Sequence, residues 1–234
     1  MAIVTYTPEP ARELASNLWL VTAKTSQKLD RKMAVAKGAD GTLFVHDPLW
    51  LPDDAFARLD AWGRVGAIFV PSWLHDFDAE AYAARYPGAR LCGPPAAVKK
   101  LKWPGLVEFD ASMAPSSVSV AAIPGVKSER SCAVTHPEGG VTLIVNDALF
   151  NMPHRRGAGG LFLRLLGSTG PLHMSRLGRM FLLTDRAAYA RWLREWAART
   201  DLRHVVMAHG HVVSEDVPAA LAAAAARLEG TRTT

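Results

Sequence analysis

The hydrophobic and polar positions change period several times along the chain, and the changes mark out its elements. NLWLVT (17–22) predicts a strand, and KMAVAK (32–37) and TLFVHD (42–47) predict two more, joined by the hairpin signal GADG. PDDAFARLDAW (52–62) has helical spacing: a proline and two acids open it, and Phe56, Leu59 and Trp62 follow at intervals of three. GAIFV (66–70) is a short continuous apolar run, the pattern of a strand buried on both faces. DAEAYAARY (78–86) predicts a helix with Asp78 as its cap, and ARLCGP (89–94) predicts a strand with a Gly-Pro stop.

The second half continues in the same style. SVSVAAI (117–123), SCAVTH (131–136) and VTLIVND (141–147) predict strands, the last two joined by HPEGG. A Gly-rich stretch with short apolar pieces follows. The helix after Thr184, with Thr184 as its expected cap, carries Tyr189, Trp192, Leu193, Trp196 and Ala197 on one apolar stripe. HVVMAHGH (204–211) predicts a strand entering a glycine turn, and Ser214 is the expected cap of a final Ala-rich helix reaching about Glu229. No linker or short-period repeat interrupts the pattern, which predicts one α/β domain over residues 1–234 with sheets facing each other and helices outside.

Composition adds little to this picture, but charge adds more. With 49% hydrophobic and 21% charged residues the chain is ordinary for a globular protein. No apolar run reaches the roughly 18 residues of a membrane span, and the N-terminus lacks the pattern of a signal peptide, so the expectation is a cytoplasmic protein without a membrane span. Cys92 and Cys132 are far apart and in no metal-binding spacing. The net charge of +5 is local. Residues 148–184 carry Arg155, Arg156, Arg164, Arg176 and Arg179 and no acid. This reads either as a solvated Arg-rich helical insert or as a face for an anion: an acidic substrate, a phosphate or a membrane surface. No nucleic-acid-binding motif accompanies it.

Candidate chemistry lies where strands end, since α/β folds gather functional groups at the carboxyl ends of strands. FVHDP ends in His46 and Asp47; VPSWLHDFD carries Ser72, His75, Asp76 and Asp78; AIPGVKSERS carries Lys127, Ser128, Glu129 and Arg130; LIVNDALF carries Asn146 and Asp147; VVMAHGH carries His209 and His211. His154 and His173 flank the Arg-rich insert and are expected to be solvated, and His211 is expected at the surface. Ser168 in GSTG lacks the spacing of a nucleophile elbow.

In their order, these strand ends resemble the metallo-β-lactamase superfamily from about Asn17 to Val213. LFVHDP resembles the strand of that family ending in aspartate, IFVPSWLHDF its T-H-x-H-x-D-H motif, IPGVKSERS its P-G-H-T-P-G-S loop, VTLIVNDALF the strand of its bridging aspartate, and VVMAHGHVV its late G-H-G turn. The resemblance implies a four-layer αββα sandwich. It also implies a chemistry in which two metal ions activate water against an ester, amide, thioester or phosphodiester.

Residue by residue, the metal positions have changed. Pro71 stands at the threonine of the motif, Ser72 and Leu74 at its first two histidines, Asp76 at its aspartate and Phe77 at its last histidine; Lys127 or Val126 stands at the third histidine of the first site. Asp147 matches the bridging aspartate and His209 the late histidine. Leucine and phenylalanine are not ligands and serine is a poor one, so the sequence does not support a two-zinc centre. Metal-free catalysis, with His209 or His75 as general base, is one reading, and two others stay open. In one, Lys127 lies between Asp76 and Asp147 as a counter-charge, no metal binds, and the protein is a non-catalytic, ligand-binding relative of the hydrolases. In the other, Asp76, Asp147 and His209, with His75, hold one Zn, Mn or Fe ion, and the protein is a hydrolase of an ester, thioester or phosphodiester. The family's order implies that Asp47 orients neighbouring loops and that Trp73 lies at the pocket wall or mouth. If the Arg-rich insert closes over the site, Arg155 and Arg156 would meet a small anionic ligand. Oligomeric state is not legible.

Overall fold

A computed structural model describes residues 6–25, 29–154 and 156–230, and these group into two compact units. The first comprises residues up to Val120 together with Val134–Glu138; the second comprises Ala121–Ala133 and Gly139 onward.

The first unit is built on an eight-stranded mixed sheet. Its strands are β1 (Tyr6–Pro8), β2 (Arg12–Ala15), β3 (Leu18–Thr25), β4 (Asp30–Lys37), β5 (Thr42–His46), β6 (Arg64–Phe69), β7 (Arg90–Gly93) and β8 (Val107–Glu108). The order is β1-β3-β4-β5-β6-β7-β8, with β2 paired to β3. Pairing is antiparallel from β1 to β5 and parallel from β5 to β8. Parallel neighbours need a crossover, and the sequence provides one at each step: α1 (Asp53–Trp62), α2 (Ala79–Arg85) and α3 (Pro95–Leu101). Phe56 and Leu59 of α1 and Tyr82 of α2 join Val35, Val45 and Ile68 of the sheet in one buried cluster. Each such side chain contributes roughly 1.5–3 kcal/mol by leaving water.

The expected GADG hairpin forms, with Gly41 at φ +78° and the Asp40 carboxylate accepting from the Thr42 amide at 3.0 Å. Asp78 precedes α2, as a cap should, but its side chain does not cap. It accepts instead from the Tyr6 hydroxyl and, at 3.0 Å, from the Trp50 amide. Burial and the Asp78 carboxylate together push the Tyr6 phenol upward, keeping it a donor.

A four-stranded sheet has strands β9 (Val118–Ala122), β10 (Arg130–Thr135), β11 (Val141–Ile144) and β14 (Leu202–Val206), in the order β14-β11-β10-β9; the second unit holds all of it except Val118–Val120 and Val134–Thr135. The β11–β14 pair is parallel, so these two strands end at the same edge. Helices α6 (Arg186–Ala197) and α7 (Val217–Glu229) bury Tyr189, Leu193, Leu221 and Ala225 with Leu143 and Val205. The predicted α6 stripe is therefore its packing face, but the cap is Asp185, whose carboxylate accepts from the Ala188 amide at 3.0 Å, rather than Thr184. Helix α7 opens at Asp216 with a proline in its first turn and no side-chain cap; Ser214 instead bonds His204 at 2.9 Å. The segment expected as a helical insert holds α4 (Ala158–Leu165) and α5 (Arg176–Phe181) together with a two-stranded sheet of β12 (Phe150–Met152) and β13 (Gly170–His173).

Candidate functional site

In the first unit, the parallel β5–β6 register pairs His46 with Phe69, so both strands release their chains at one edge. Asp47 turns there with φ +53° and donates its amide to Phe69 at 3.0 Å. Its carboxylate is fully buried. One oxygen accepts from Arg31 Nη2 at 2.7 Å, and the other lies 2.9 Å from His75 Nδ1. Burial alone would raise this carboxyl; Arg31 and His75 overcome it and hold the group down at about 2. An ionised Asp47 fixes the proton of a neutral His75 on Nδ1 and leaves the lone pair on Nε2. The neighbouring His46 is buried against the Phe69 ring, and desolvation lowers it to about 4, so it is neutral near pH 7.

From Ser72 onward, the VPSWLHDFD segment presents every third residue inward. Ser72, His75 and Asp78 are buried, whereas Trp73, Leu74 and Phe77 are exposed. The turn is local: the His75 amide donates to the Ser72 carbonyl at 3.0 Å and the Leu74 amide to Ser72 Oγ at 3.2 Å. Phe77 lies against Arg31, whose guanidinium carbon is 4.4 Å from its ring centroid. Trp73 carries the Lys100 ammonium 5.4 Å from its ring. Asp76 is half-buried, and desolvation raises its carboxyl against the pull of Arg31 and His75. Within this unit His75, and not Asp76, is the residue locked in place.

In the second unit, Asp147 follows β11 and His209 follows β14. His209 Nε2 stands 3.3 Å from Asp147 Oδ1, and its ring stacks on Phe150 with centroids 5.5 Å apart. The turn that presents His209 requires glycine at 210: φ is +87°, and a Cβ there would lie 2.2 Å from the Asn151 carbonyl oxygen. Asn151 secures the same turn from both sides, accepting from the His211 amide at 2.8 Å and donating through Nδ2 to the His211 carbonyl at 3.0 Å. The expected surface position of His211 holds.

The IPGVKSERS loop is pinned at its glycine. Gly125 has φ +74°, a Cβ would approach the Asp185 carbonyl oxygen to 2.0 Å, and the Lys127 amide donates to Leu182 at 2.9 Å. The Lys127 side chain is exposed, which does not suit the inward counter-charge expected of it. The buried ionisable residue of the loop is Glu129, which accepts the Asp147 amide at 3.1 Å.

Glu129 was among the loop residues named from sequence but not singled out. Arg31 was missed altogether: it stands among charged neighbours in DRK, just before the apolar run of its strand, and only the fold shows it buried against Asp47. Arg156 is exposed, and Arg155 lies outside the described residues. His173 is not simply solvated: its two nitrogens lie 2.7 Å from the Gly167 and Pro171 carbonyls, while exposed His154 bonds Thr169 at 2.8 Å.

No family model matches the chain, and no curated protein matches it. Solved structures do. A metallo-β-lactamase of Erythrobacter litoralis, with β-mercaptoethanol in its active site, is 17% identical, with a TM-score of 0.58 over 93% of this chain and 96% of its own. TMB-1, a protein studied for substrate and inhibitor binding, is 12% identical, with a TM-score of 0.61 over 96% of this chain and 99% of its own. The metallo-β-lactamase FIM-1 of Pseudomonas aeruginosa, in a mono-zinc form, is 12% identical, with a TM-score of 0.57 over 98% of both chains. The chain therefore has the mixed α/β fold of the metallo-β-lactamases, as its strand-end motifs implied. Among the described residues, no helix is long and apolar enough to cross a membrane.

Proposed function

We propose that this chain is a hydrolase-like protein of the metallo-β-lactamase fold with one metal position, at Asp147 and His209, in place of a two-zinc centre. The observation that carries this reading is the Asp147–His209 pair itself, 3.3 Å apart on a turn that glycine and Asn151 hold. A carboxylate and an imidazole are donors suited to Zn, Mn or Fe. His75 and Asp76, which the sequence offered as further ligands, belong to the first unit, where His75 gives Nδ1 to the Asp47 carboxylate at 2.9 Å.

The loss of the first position rests on the residues themselves. Where the family motif has the first two histidines of that position, this chain has Ser72 and Leu74, with Leu74 exposed; Phe77, at the motif's last histidine, belongs to the other position and lies over Arg31. The positive charge next to Asp47 is a guanidinium. A divalent ion would polarise a carbonyl or phosphoryl group and lower the pKa of water. The chain itself contributes the orientation of Asp147 through Glu129 and of His75 through Asp47.

Elemental analysis of the purified protein, with Asp147→Ala and His209→Ala beside it, tests the reading. About one equivalent of divalent metal is expected in the parent and a loss of at least ~10-fold in affinity in each variant. A parent that binds no Zn, Mn or Fe at any added concentration overturns it in favour of a metal-free ligand-binding protein, the reading that exposed Lys127 does not favour.

A further inference from the structure

The second unit exposes a cluster of large apolar side chains that no part of the metal reading uses. Leu161, Phe162 and Leu165 of α4 are 59%, 60% and 62% exposed, and Met180 and Phe181 of α5 are 65% and 58% exposed. In helices, positions three and four apart share a face, so Leu161 with Leu165, and Leu177 with Met180 and Phe181, form outward stripes. The two helices are tied together: Arg176 Nη1 at the start of α5 donates to the Leu165 carbonyl at the end of α4, at 3.1 Å. Soluble surfaces ordinarily scatter such residues singly, and a contiguous set marks an interaction site.

We propose that this outward face of α4 and α5 docks on an anionic phospholipid bilayer surface. Two observations select that occupant. First, the charge of the segment that carries the apolar residues has one sign. Residues 148–184 hold five arginines and no acid, and Arg156, Arg164 and Arg176 are exposed. Apolar side chains flanked by basic ones are what an anionic lipid interface selects, the former entering the acyl boundary and the latter meeting the headgroups. Second, the apolar residues protrude. Side chains about 60% exposed stand proud of the surface and do not line a groove. A protruding set suits shallow insertion into a deformable bilayer, whereas a folded partner would need a complementary hollow and a neutralising acidic rim. Gly157, Gly159 and Gly160 open α4, with Gly157 at φ +86°, and leave its entry free of side-chain bulk. The proposal is independent of the metal site, because its readout is partition and not activity.

Co-sedimentation of the full chain with vesicles provides the test. Vesicles of phosphatidylcholine with about 30% phosphatidylserine should retain the protein, and pure phosphatidylcholine vesicles should retain far less of it. Raising salt from about 0.1 M to about 0.5 M should release it, since exposed charges are screened. Phe162→Gln with Phe181→Gln should lower binding at least ~10-fold. Arg156→Gln with Arg164→Gln should lower it about 5-fold per arginine. All four positions are exposed, so circular dichroism should be unchanged. Failure to bind anionic vesicles, equal binding to neutral ones, or variants that bind like the parent would overturn the proposal. So would light scattering that shows a dimer lost in the phenylalanine variant while no vesicle binding occurs, which would assign the face to a second copy of this chain.

Discussion

Asp47 with His75 and Asp147 with His209 are the same two side chains at strand ends of the two units, built to different tolerances. The first pair is sealed: Asp47 is fully buried, His75 nearly so, and Arg31 lies 2.7 Å away as a third, charge-balancing member. The second pair is looser. Its carboxylate and imidazole are 18% and 12% exposed, and they stand 3.3 Å apart. A buried ion pair that has its counter-charge holds geometry and resists change. A partly open pair has less to lose by exchanging a partner for a ligand. The difference separates an orienting device from a candidate binding device, although both read in sequence as an aspartate and a histidine.

Removing one member from each pair gives the largest expected contrast. Asp47→Ala leaves Arg31 buried without its carboxylate and should cost about 3–5 kcal/mol in urea unfolding. That is a large share of the roughly 5–15 kcal/mol typical of a domain. His209→Ala, at a partly exposed pair, should cost less than about 1 kcal/mol in metal-free protein. Equal costs would erase the distinction.

Acid should separate the two pairs next. His46, beside the sealed pair, is held neutral with its pKa lowered from 6.5 to about 4. Between those values the unfolded chain binds more protons, so stability is complete above pH 6.5 and falls as pH drops toward 4, by up to about 3 kcal/mol. Asp47, depressed to about 2, contributes stability that is present above its unfolded value of about 3.9 and is lost as pH falls from there toward 2. Unfolding midpoints measured across pH 7 to 3 should therefore show two successive losses, and His46→Leu should remove the upper one. A flat upper window in the parent would mean that His46 is not desolvated as described.

The elements of the sheets were readable because their periods are strong: the apolar run at GAIFV and the stripe from Tyr189 to Trp196 both led to the right type of element. The strand-end order was enough to reach the fold, since four of its five motifs sit where a parallel strand releases its chain. Caps were less legible. Asp78, Thr184 and Ser214 have the chemistry of caps, but tertiary partners claim Asp78 and Ser214, and a neighbouring aspartate supplies the cap expected of Thr184. The Asp147–His209 contact was legible as two strand ends carrying a carboxylate and an imidazole, which stand 3.3 Å apart. The anchoring of His75 was not legible, because it rests on a contact with Asp47, 28 residues away, and on an arginine that only the β3–β4–β5 pairing brings near.

The loop at 124–131 sharpens the comparison from the side of the looser pair, and it holds the smallest expected effect, at Lys127. The family's order pointed to Lys127 as the loop's working residue, whereas burial points to Glu129. Lys127→Ala removes an exposed side chain, so its stability should stay within about 0.5 kcal/mol of the parent. Glu129→Ala leaves the Asp147 amide without the acceptor that now stands at 3.1 Å, at a cost of about 1–3 kcal/mol. Metal content should follow the same order, unchanged in the first variant and reduced in the second, because Glu129 holds the backbone from which the Asp147 carboxylate projects. If Lys127→Ala alone changed metal content, the exposed lysine would regain the role that its motif position suggested. The looser pair would then depend on a charge at the surface and not on the buried acid behind it.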